Sequence, residues 1–330
     1  MDPISQAALG TTATQSVLRS PKNLLVASIL GSLGGMAPDL DVLITSNQDP
    51  LLFLEYHRQF THSLFFIPLG GLIVALALYL WSRRHMSFRE SYFFVTLGYA
   101  THGLLDACTT YGTQLFWPFS YERIAWNNVS VVDPAFTVPL LILCSLAVIR
   151  KQPWFGRVAA LWALSYLIIG LVQRFRAEEF AREELGKQGI HFDHVSAKPS
   201  FANLLVWKIV SQTKDEFRVD AVRAGFNLKF FPGEKIYRLN LEKDFPTLPS
   251  NSLQARDIER FRWFSDDHLA VSKTDPHLII DVRYSMVANE ISGLWGIRID
   301  PNNPEKHVSF EAFRDTSDKK RRLFMKLLLE

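Results

Sequence analysis

Three short stretches of this chain carry side chains that can hold a metal ion. Asp39 and Asp41 stand in APDLD, His57 and His62 in HRQFTHS, and His102 and Asp106 in THGLLD. Imidazole nitrogen combined with carboxylate oxygen suits a divalent metal, zinc first, with manganese or iron as alternatives. A mixed set with open positions fits a catalytic ion better than a closed structural one. His102 and Asp106 are four residues apart, so on a helix they share a face and can address one ion. Each motif alone has an ordinary explanation: an Asp after a proline can cap a helix, and a His near a membrane end can sit at the interface. Three such motifs converging on one face favour a shared site over these separate explanations. The chain has no Gly-rich phosphate loop, GxSxG elbow or HExxH, so this cluster is its chemical signal.

Other residues extend the cluster. Arg58 offers a planar fork for phosphate or carboxylate, and Thr61 and Ser63 flank His62 as hydrogen-bond donors. Asp2, before Pro3, reads equally as a helix cap or a ligand. Asp133, in VVDP, reads as a cap. The stretch 109–126, TTYGTQLFWPFSYERIAW, reads either as a loop lining a substrate or as an interfacial aromatic belt.

The elements that position these residues are hydrophobic helices. Of the 330 residues, 1–173 are rich in Leu, Ala, Gly and aromatics, and 174–330 hold most of the charge. Segments 63–82 and 157–173 approach the roughly 20 residues that cross a bilayer. Segments 23–36, 91–108 and 134–149 are further spans, and 4–18 is the weakest. Glycines and polar residues in 23–36 and 91–108 suit helices packed on helices. The short links 19–22, 83–89 and 150–157 hold eight Lys or Arg, whereas 37–62 and 109–133 hold only Arg58 and Arg123. The positive-inside rule places the short links in the cytoplasm. Six helices follow, with both chain ends outside. All six candidate ligands then fall on the outer side, although Lys and Arg alone set the orientation.

Beyond 173 the pattern changes. Residues 174–190 form a charged amphipathic linker helix, and runs at 204–211, 216–221, 235–239, 277–284 and 294–299 alternate as strands do. The expected fold class is α+β: a multi-span helical membrane domain (1–173, about six helices) and a small, mainly antiparallel β domain (191–330) outside the cytoplasm. A net charge of +3 without a basic stripe argues against a nucleic-acid partner. Cys108 and Cys144 fit no disulfide framework. The N-terminus lacks the basic start of a cleavable signal peptide.

In order, MDPISQ, APDLD, HRQFTHS, HGLLD, TTYGTQLFWPF and VDP resemble the YdjM-like membrane-bound metal-dependent hydrolases over roughly residues 1–173. NLLVWKIV and DVRYSM resemble the tail of the longer members. The His and Asp pattern is also similar to that of zinc-dependent phospholipase C and P1-type nucleases, all-α proteins whose metals activate water against phosphodiesters. The resemblance implies Asp39, Asp41, His57, His62, His102 and Asp106 as ligands. Gln6 stands where some relatives carry His, which implies a supporting role there or a weakened site.

The expected function is hydrolysis of a lipid-borne or envelope phosphoester at the outer face of the cytoplasmic (inner) membrane. Asp39 or Asp106 would act as base or bridging ligand, and Arg58 would steady the anion. The rival class is a non-enzymatic metal- or proton-binding transporter or assembly protein. A third reading makes the helices only an anchor for a β domain that binds a partner. The topology makes a direct prediction: a cysteine placed in 191–330 reacts with a membrane-impermeant thiol reagent on intact cells. Labelling only after lysis would overturn it.

Overall fold

The computed structural model describes residues 1–189 and 191–329, so the linker end expected at 190 and residue 330 lie outside the described residues. Two compact units emerge. The first is Met1–Leu43, Tyr56–Val172 and Phe201–Asn203; the second is Ile44–Glu55, Gln173–Ser200 and Leu204–Glu330. The short segment Ile44–Glu55 thus belongs with the second unit, where the sequence had given all of 1–173 to the helices. Arg260 holds it there, bonding Asp49 at 2.8 and 3.0 Å and Glu55 at 2.5 Å.

The first unit is built from helices α1 (Pro3–Val17), α2 (Leu24–Met36), α4 (Ile67–Ser82), α5 (Phe88–Ala107), α6 (Pro134–Arg150) and the first part of α7 (Trp154–Lys187). The five-residue helix α3 (Leu52–Tyr56) precedes α4 in the chain. Local chemistry sets several starts. Asp2 accepts from the backbone of Ile4 and Ser5 with Pro3 in the first turn, and Asp133 does the same for α6 before Pro134. Ser87 and Glu90 close a reciprocal capping box on α5. Both aspartates cap, as the sequence allowed.

Among the described residues, two helical segments are long and apolar enough to cross a membrane, Leu24–Leu43 and Trp154–Lys187. The bent pair Leu52–His62 and Ile67–Ser82 makes a third if it is one span. This is fewer than the six expected. The reason is compositional: α1 is lined with buried Ser5, Gln6, Thr12, Thr14 and Gln15, and α6 is 17 residues long. The amphipathic linker is not a separate element either, because α7 runs unbroken over 34 residues through both the apolar and the charged stretch. Leu76, Leu80, Leu161, Leu164, Ile168 and Ile169 are all exposed, an apolar surface suited to lipid.

Glycine lets three helices meet backbone to backbone. A Cβ on Gly10 would stand 2.3 Å from the Gly31 carbonyl oxygen, and one on Gly98 2.2 Å from the same atom. α2 is therefore pressed between α1 and α5, as small residues permit where no hydrophobic effect drives helices together.

The second unit holds two four-stranded antiparallel sheets. One runs β1 (His194–Pro199), β2 (Val206–Gln212), β3 (Glu216–Ala224), β4 (Leu228–Tyr237). The other runs β5 (Leu269–Val271), β6 (Leu278–Asp281), β7 (Trp295–Arg298), β8 (Ser309–Ala312). Val210, Phe217 and Val219 of the first sheet pack in one cluster with Ala270, Leu278 and Ile280 of the second and with Val282 just beyond β6. Helices α8 (Leu241–Asp244), α9 (Leu253–Phe264) and α10 (Asp318–Leu329) complete it. The strand readings at 204–211, 216–221, 235–239, 277–284 and 294–299 overlap β2, β3, β4, β6 and β7. β1, β5, β8 and the three helices were not read, being short or mixed in pattern.

The glycine contacts are testable. Gly98→Ala should lower the melting temperature of the detergent-purified protein by several degrees, since overpacking costs about 1–3 kcal/mol. Gly186→Ala, whose Cβ meets nothing within 4 Å, should leave it unchanged or slightly raised. Equal melting of the two variants would refute close packing at Gly98.

Candidate metal centre

The 3₁₀ segment Ala37–Leu43 after α2 carries Asp39 and Asp41, and the second 3₁₀ turn, Phe60–His62, carries His62. The last turns of α5 carry His102 and Asp106 on one face. One donor atom from each of Asp39, His62, His102 and Asp106 lies within 4.8 Å of the others, and Asp39, Asp41 and His57 form a second such group. The two groups share Asp39.

Within the first group both imidazoles are oriented from behind. His102 Nδ1 lies 2.5 Å from the Gly35 carbonyl oxygen, so this nitrogen carries the proton and donates. His62 Nδ1 lies 3.2 Å from Asp41 Oδ2 and 2.9 Å from Thr61 Oγ1. Proton on Nδ1 leaves a lone pair on Nε2 in each neutral ring. The two Nε2 atoms are 2.9 Å apart and point at one place. Asp39 Oδ1 is 3.4 Å from His62 Nε2 and 3.3 Å from His102 Nε2, and Asp106 Oδ2 is 3.3 and 3.6 Å from them.

Four acceptors thus face one another, and acceptors repel unless a proton or cation lies between them. Zinc–nitrogen bonds of about 2.0–2.1 Å in a tetrahedron place neighbouring donors about 3.3 Å apart. The observed separations of 2.9–3.6 Å bracket that value. The residues fit a divalent ion. His62, His102 and Asp106 are buried, whereas the Asp39 side chain is 22 % exposed and forms the open edge.

Asp106 is itself held in place. Its Oδ1 accepts from Gln6 Nε2 at 2.9 Å and from the α-amino group of Met1, and its Oδ2 lies 3.0 Å from Arg58 Nε. Gln6 therefore supports Asp106 through its amide nitrogen. Arg58 also donates to Thr109 Oγ1 at 2.9 Å and lies over the Tyr111 ring, from a backbone with φ of +64°. Such a left-handed conformation costs a non-glycine residue of order 1 kcal/mol and is held only when its surroundings demand it. Asp41 bonds His57 Nδ1 at 2.8 Å, Thr61 Oγ1 at 2.7 Å and the Arg58 amide at 3.1 Å, so it orients both histidines as well as offering a ligand atom to the second group. Ser63 caps Phe66 at 3.2 Å rather than touching His62. Sequence reading missed the Gly35 carbonyl, the Met1 amine, Thr109 and the Tyr99 hydroxyl, which bonds the Thr61 carbonyl at 2.8 Å. Backbone groups and contacts distant in the chain leave no spacing signal.

A bundle of apolar helices gathering two imidazoles and two carboxylates around one point defines the class: a membrane protein with a buried cluster able to bind a metal. The chain belongs to the family described as YdjM inner membrane protein, which matches residues 1–177. It is 24% identical over 215 residues to the uncharacterized protein YfhP of Bacillus subtilis (strain 168), and the match covers 64% of each chain. It is 28% identical over 156 residues to the inner membrane protein YbcI of Escherichia coli (strain K12), covering 46% of this chain and 84% of that one. The chain therefore spans less than two thirds of YfhP's length. No solved structure matches.

Elemental analysis of protein purified in detergent after zinc or manganese supplementation should find bound metal that His62→Ala removes. Asp41→Ala and Thr61→Val should weaken it by about 10- to 100-fold. Gly103→Ala touches no donor atom, yet its Cβ would stand 2.2 Å from the His62 carbonyl oxygen, so it too should lower metal content. A wild type without metal would remove the centre.

Proposed function

We propose that this chain is a membrane-bound, metal-dependent hydrolase acting on a phosphoester, lipid-borne or part of the cell envelope, at the extracytoplasmic face. One observation carries the reading: two Nε2 lone pairs and two carboxylates converge on one point inside an apolar bundle, with one carboxylate at the open edge. A charge-hungry site of this kind within membrane helices is expensive and is functional by default. When bound, a divalent ion supplies Lewis acidity toward a phosphoryl oxygen and lowers the pKa of a nearby water.

The chain's own residues divide the remaining work. Asp39, at the open edge, can accept the proton that water loses on attacking phosphorus. Asp106, pinned through Oδ1, keeps Oδ2 turned to the centre. Arg58, already beside Asp106 Oδ2, can turn its guanidinium toward an anionic substrate. Asp41, through His57 and His62, sets the ring orientations on which this geometry depends. The motif resemblance to zinc-dependent phospholipase C and P1-type nucleases, read from the His and Asp pattern alone, suggests phosphodiesters as the first class to try.

The purified protein, loaded with zinc or manganese, should hydrolyse a generic phosphodiester or a phospholipid. His62→Ala should abolish turnover, and Asp39→Asn should lower it by at least about 10²-fold, with metal content measured alongside so that loss of a ligand and loss of a base are told apart. Inactivity across that panel together with metal-dependent flux into vesicles would replace the hydrolase with the transporter.

A further inference from the structure

Two lysines lie where a β domain ordinarily places valine. On β2, Val206, Lys208 and Val210 share one face, and on β3 Ala221 and Val219 stand opposite the last two. Val210 and Val219 pack against the second sheet, so this face is the interior. Lys198 of β1 is the direct cross-strand partner of Lys208 and shares that face. Lys198 is 8% exposed and Lys208 4%. Like charges directly opposite on neighbouring strands are destabilising, and burial makes them more so.

Their partners do not balance them. Lys208 Nζ donates to Ser285 Oγ at 2.8 Å and to the Glu290 carbonyl at 3.0 Å, both neutral acceptors. The Lys198 side chain, among the described residues, has no hydrogen bond or ion pair. Buried Arg283 and Asp281 stand near it, but Asp281 is taken by Arg283 through Nε at 3.0 Å and Nη2 at 2.7 Å. Glu290 pairs with Lys320, and Glu234 with Lys273. His268 donates from Nδ1 to the backbone. Among the buried groups, Lys198, Lys208 and Arg283 stand against Asp281 alone, a surplus of two; Arg174, paired with Glu178, and the solvent-exposed Asp266 also act on Lys198 from outside this set.

We propose that the second unit binds a phosphate group in its interior, seated on the ammonium groups of Lys198 and Lys208 with Arg283 beside them. A phosphate monoester carries a charge of about −1.5 to −2 near neutral pH, which matches the surplus; a carboxylate would leave half of it. Lysine ammonium groups bind phosphate as point charges, and the Arg283 fork is already engaged by Asp281. Burial, together with Arg283, pushes the Lys198 amine down to about 8, and burial pushes Lys208 down to about 7. Empty, the site holds two amines close to losing their protons; a dianion restores them. The phosphate is either free or the headgroup of a lipid.

The test uses the full chain in detergent, phosphate-free, at pH 7.5 with chelator so that the helical unit's centre holds no metal. Calorimetric titration with inorganic phosphate, and separately with a water-soluble short-chain phosphatidic acid, should show saturable binding of at least one. Binding of phosphatidic acid alone assigns the source to a lipid, and binding of inorganic phosphate assigns it to free phosphate. Lys198→Met and Lys208→Met should each weaken binding at least tenfold, and Lys198→Arg should keep it within a few-fold. If a Met variant fails to fold, the wild type labelled with ¹³C-lysine decides: two lysine Cε resonances titrating below the ordinary range should move to higher pH with phosphate. No binding of either ligand, undiminished binding by the Met variants, or resonances that phosphate leaves unmoved would each overturn the proposal.

Discussion

Four hydrogen-bond acceptors facing one another, with Arg58 beside Asp106 as the nearby donor, are the constraint around which the helical unit is arranged. Electrostatic repulsion among lone pairs and carboxylates is strong where water is scarce. The surrounding structure must therefore hold His62, His102, Asp39 and Asp106 together against it. Part of that hold is hydrogen bonding from behind: Gly35 to His102, Asp41 and Thr61 to His62, Gln6 and the Met1 amine to Asp106. The rest is packing. His102 reaches the Gly35 carbonyl only because α5 lies against α2, and it lies there because Gly31, Gly34 and Gly98 carry no Cβ. A stripe of small residues that would be a minor detail in a soluble helix pair here determines whether the imidazole meets its acceptor.

The donor set was legible because its residue types are rare in apolar sequence. A His and an Asp at i and i+4 in an otherwise hydrophobic helix stand out, and so does APDLD after a Gly-rich span. What the spacing did not separate was the atom that meets an ion from the atom that steers it. Asp41 and Asp39 are two residues apart in one short segment, yet Asp41 turns to His57, His62 and Thr61 while Asp39 turns to the two Nε2 atoms. Arg58 looked like a group awaiting a substrate, and it lies against Asp106 and Thr109. Such distinctions depend on side-chain direction, which is set by the fold of a 3₁₀ turn rather than by a periodic pattern.

The fold was legible where hydrophobicity is periodic or continuous. The apolar stretch of α7 and the alternation of β2, β3 and β7 are of that kind. Spans inferred from shorter stretches were too many, because α1 buries uncharged polar residues among its neighbours instead of presenting an apolar surface. Gln15, for instance, reaches Ser28 Oγ at 2.9 Å and the Cys144 carbonyl at 3.1 Å. The β domain hid the opposite case. The run 204–211 reads as a strand by alternation, and its Trp207, Lys208, Ile209 and Val210 are all buried. Alternation says which residues share a face and not which face is covered, and a strand enclosed on both sides defeats the inference from polarity to exposure.

The two units thus present complementary electrostatic problems, each solved within itself. In the helical unit, acceptors outnumber donors at the point where His62, His102, Asp39 and Asp106 meet, and a proton or a cation there relieves them. In the β unit, donors outnumber acceptors between Lys198, Lys208 and Arg283, and only an anion relieves them. Hydrophobic replacement would be the cheaper way to fill either place, since buried charge is seldom retained for stability alone. A β sandwich gains nothing in folding from a lysine pair that leucines would pack better, and a membrane helix gains nothing from His102 and Asp106 that alanine would not give. Charge kept against such a cost is charge kept for a ligand. The phosphoester proposed for the first site and the phosphate group proposed for the second would draw on the same chemistry of oxyanions.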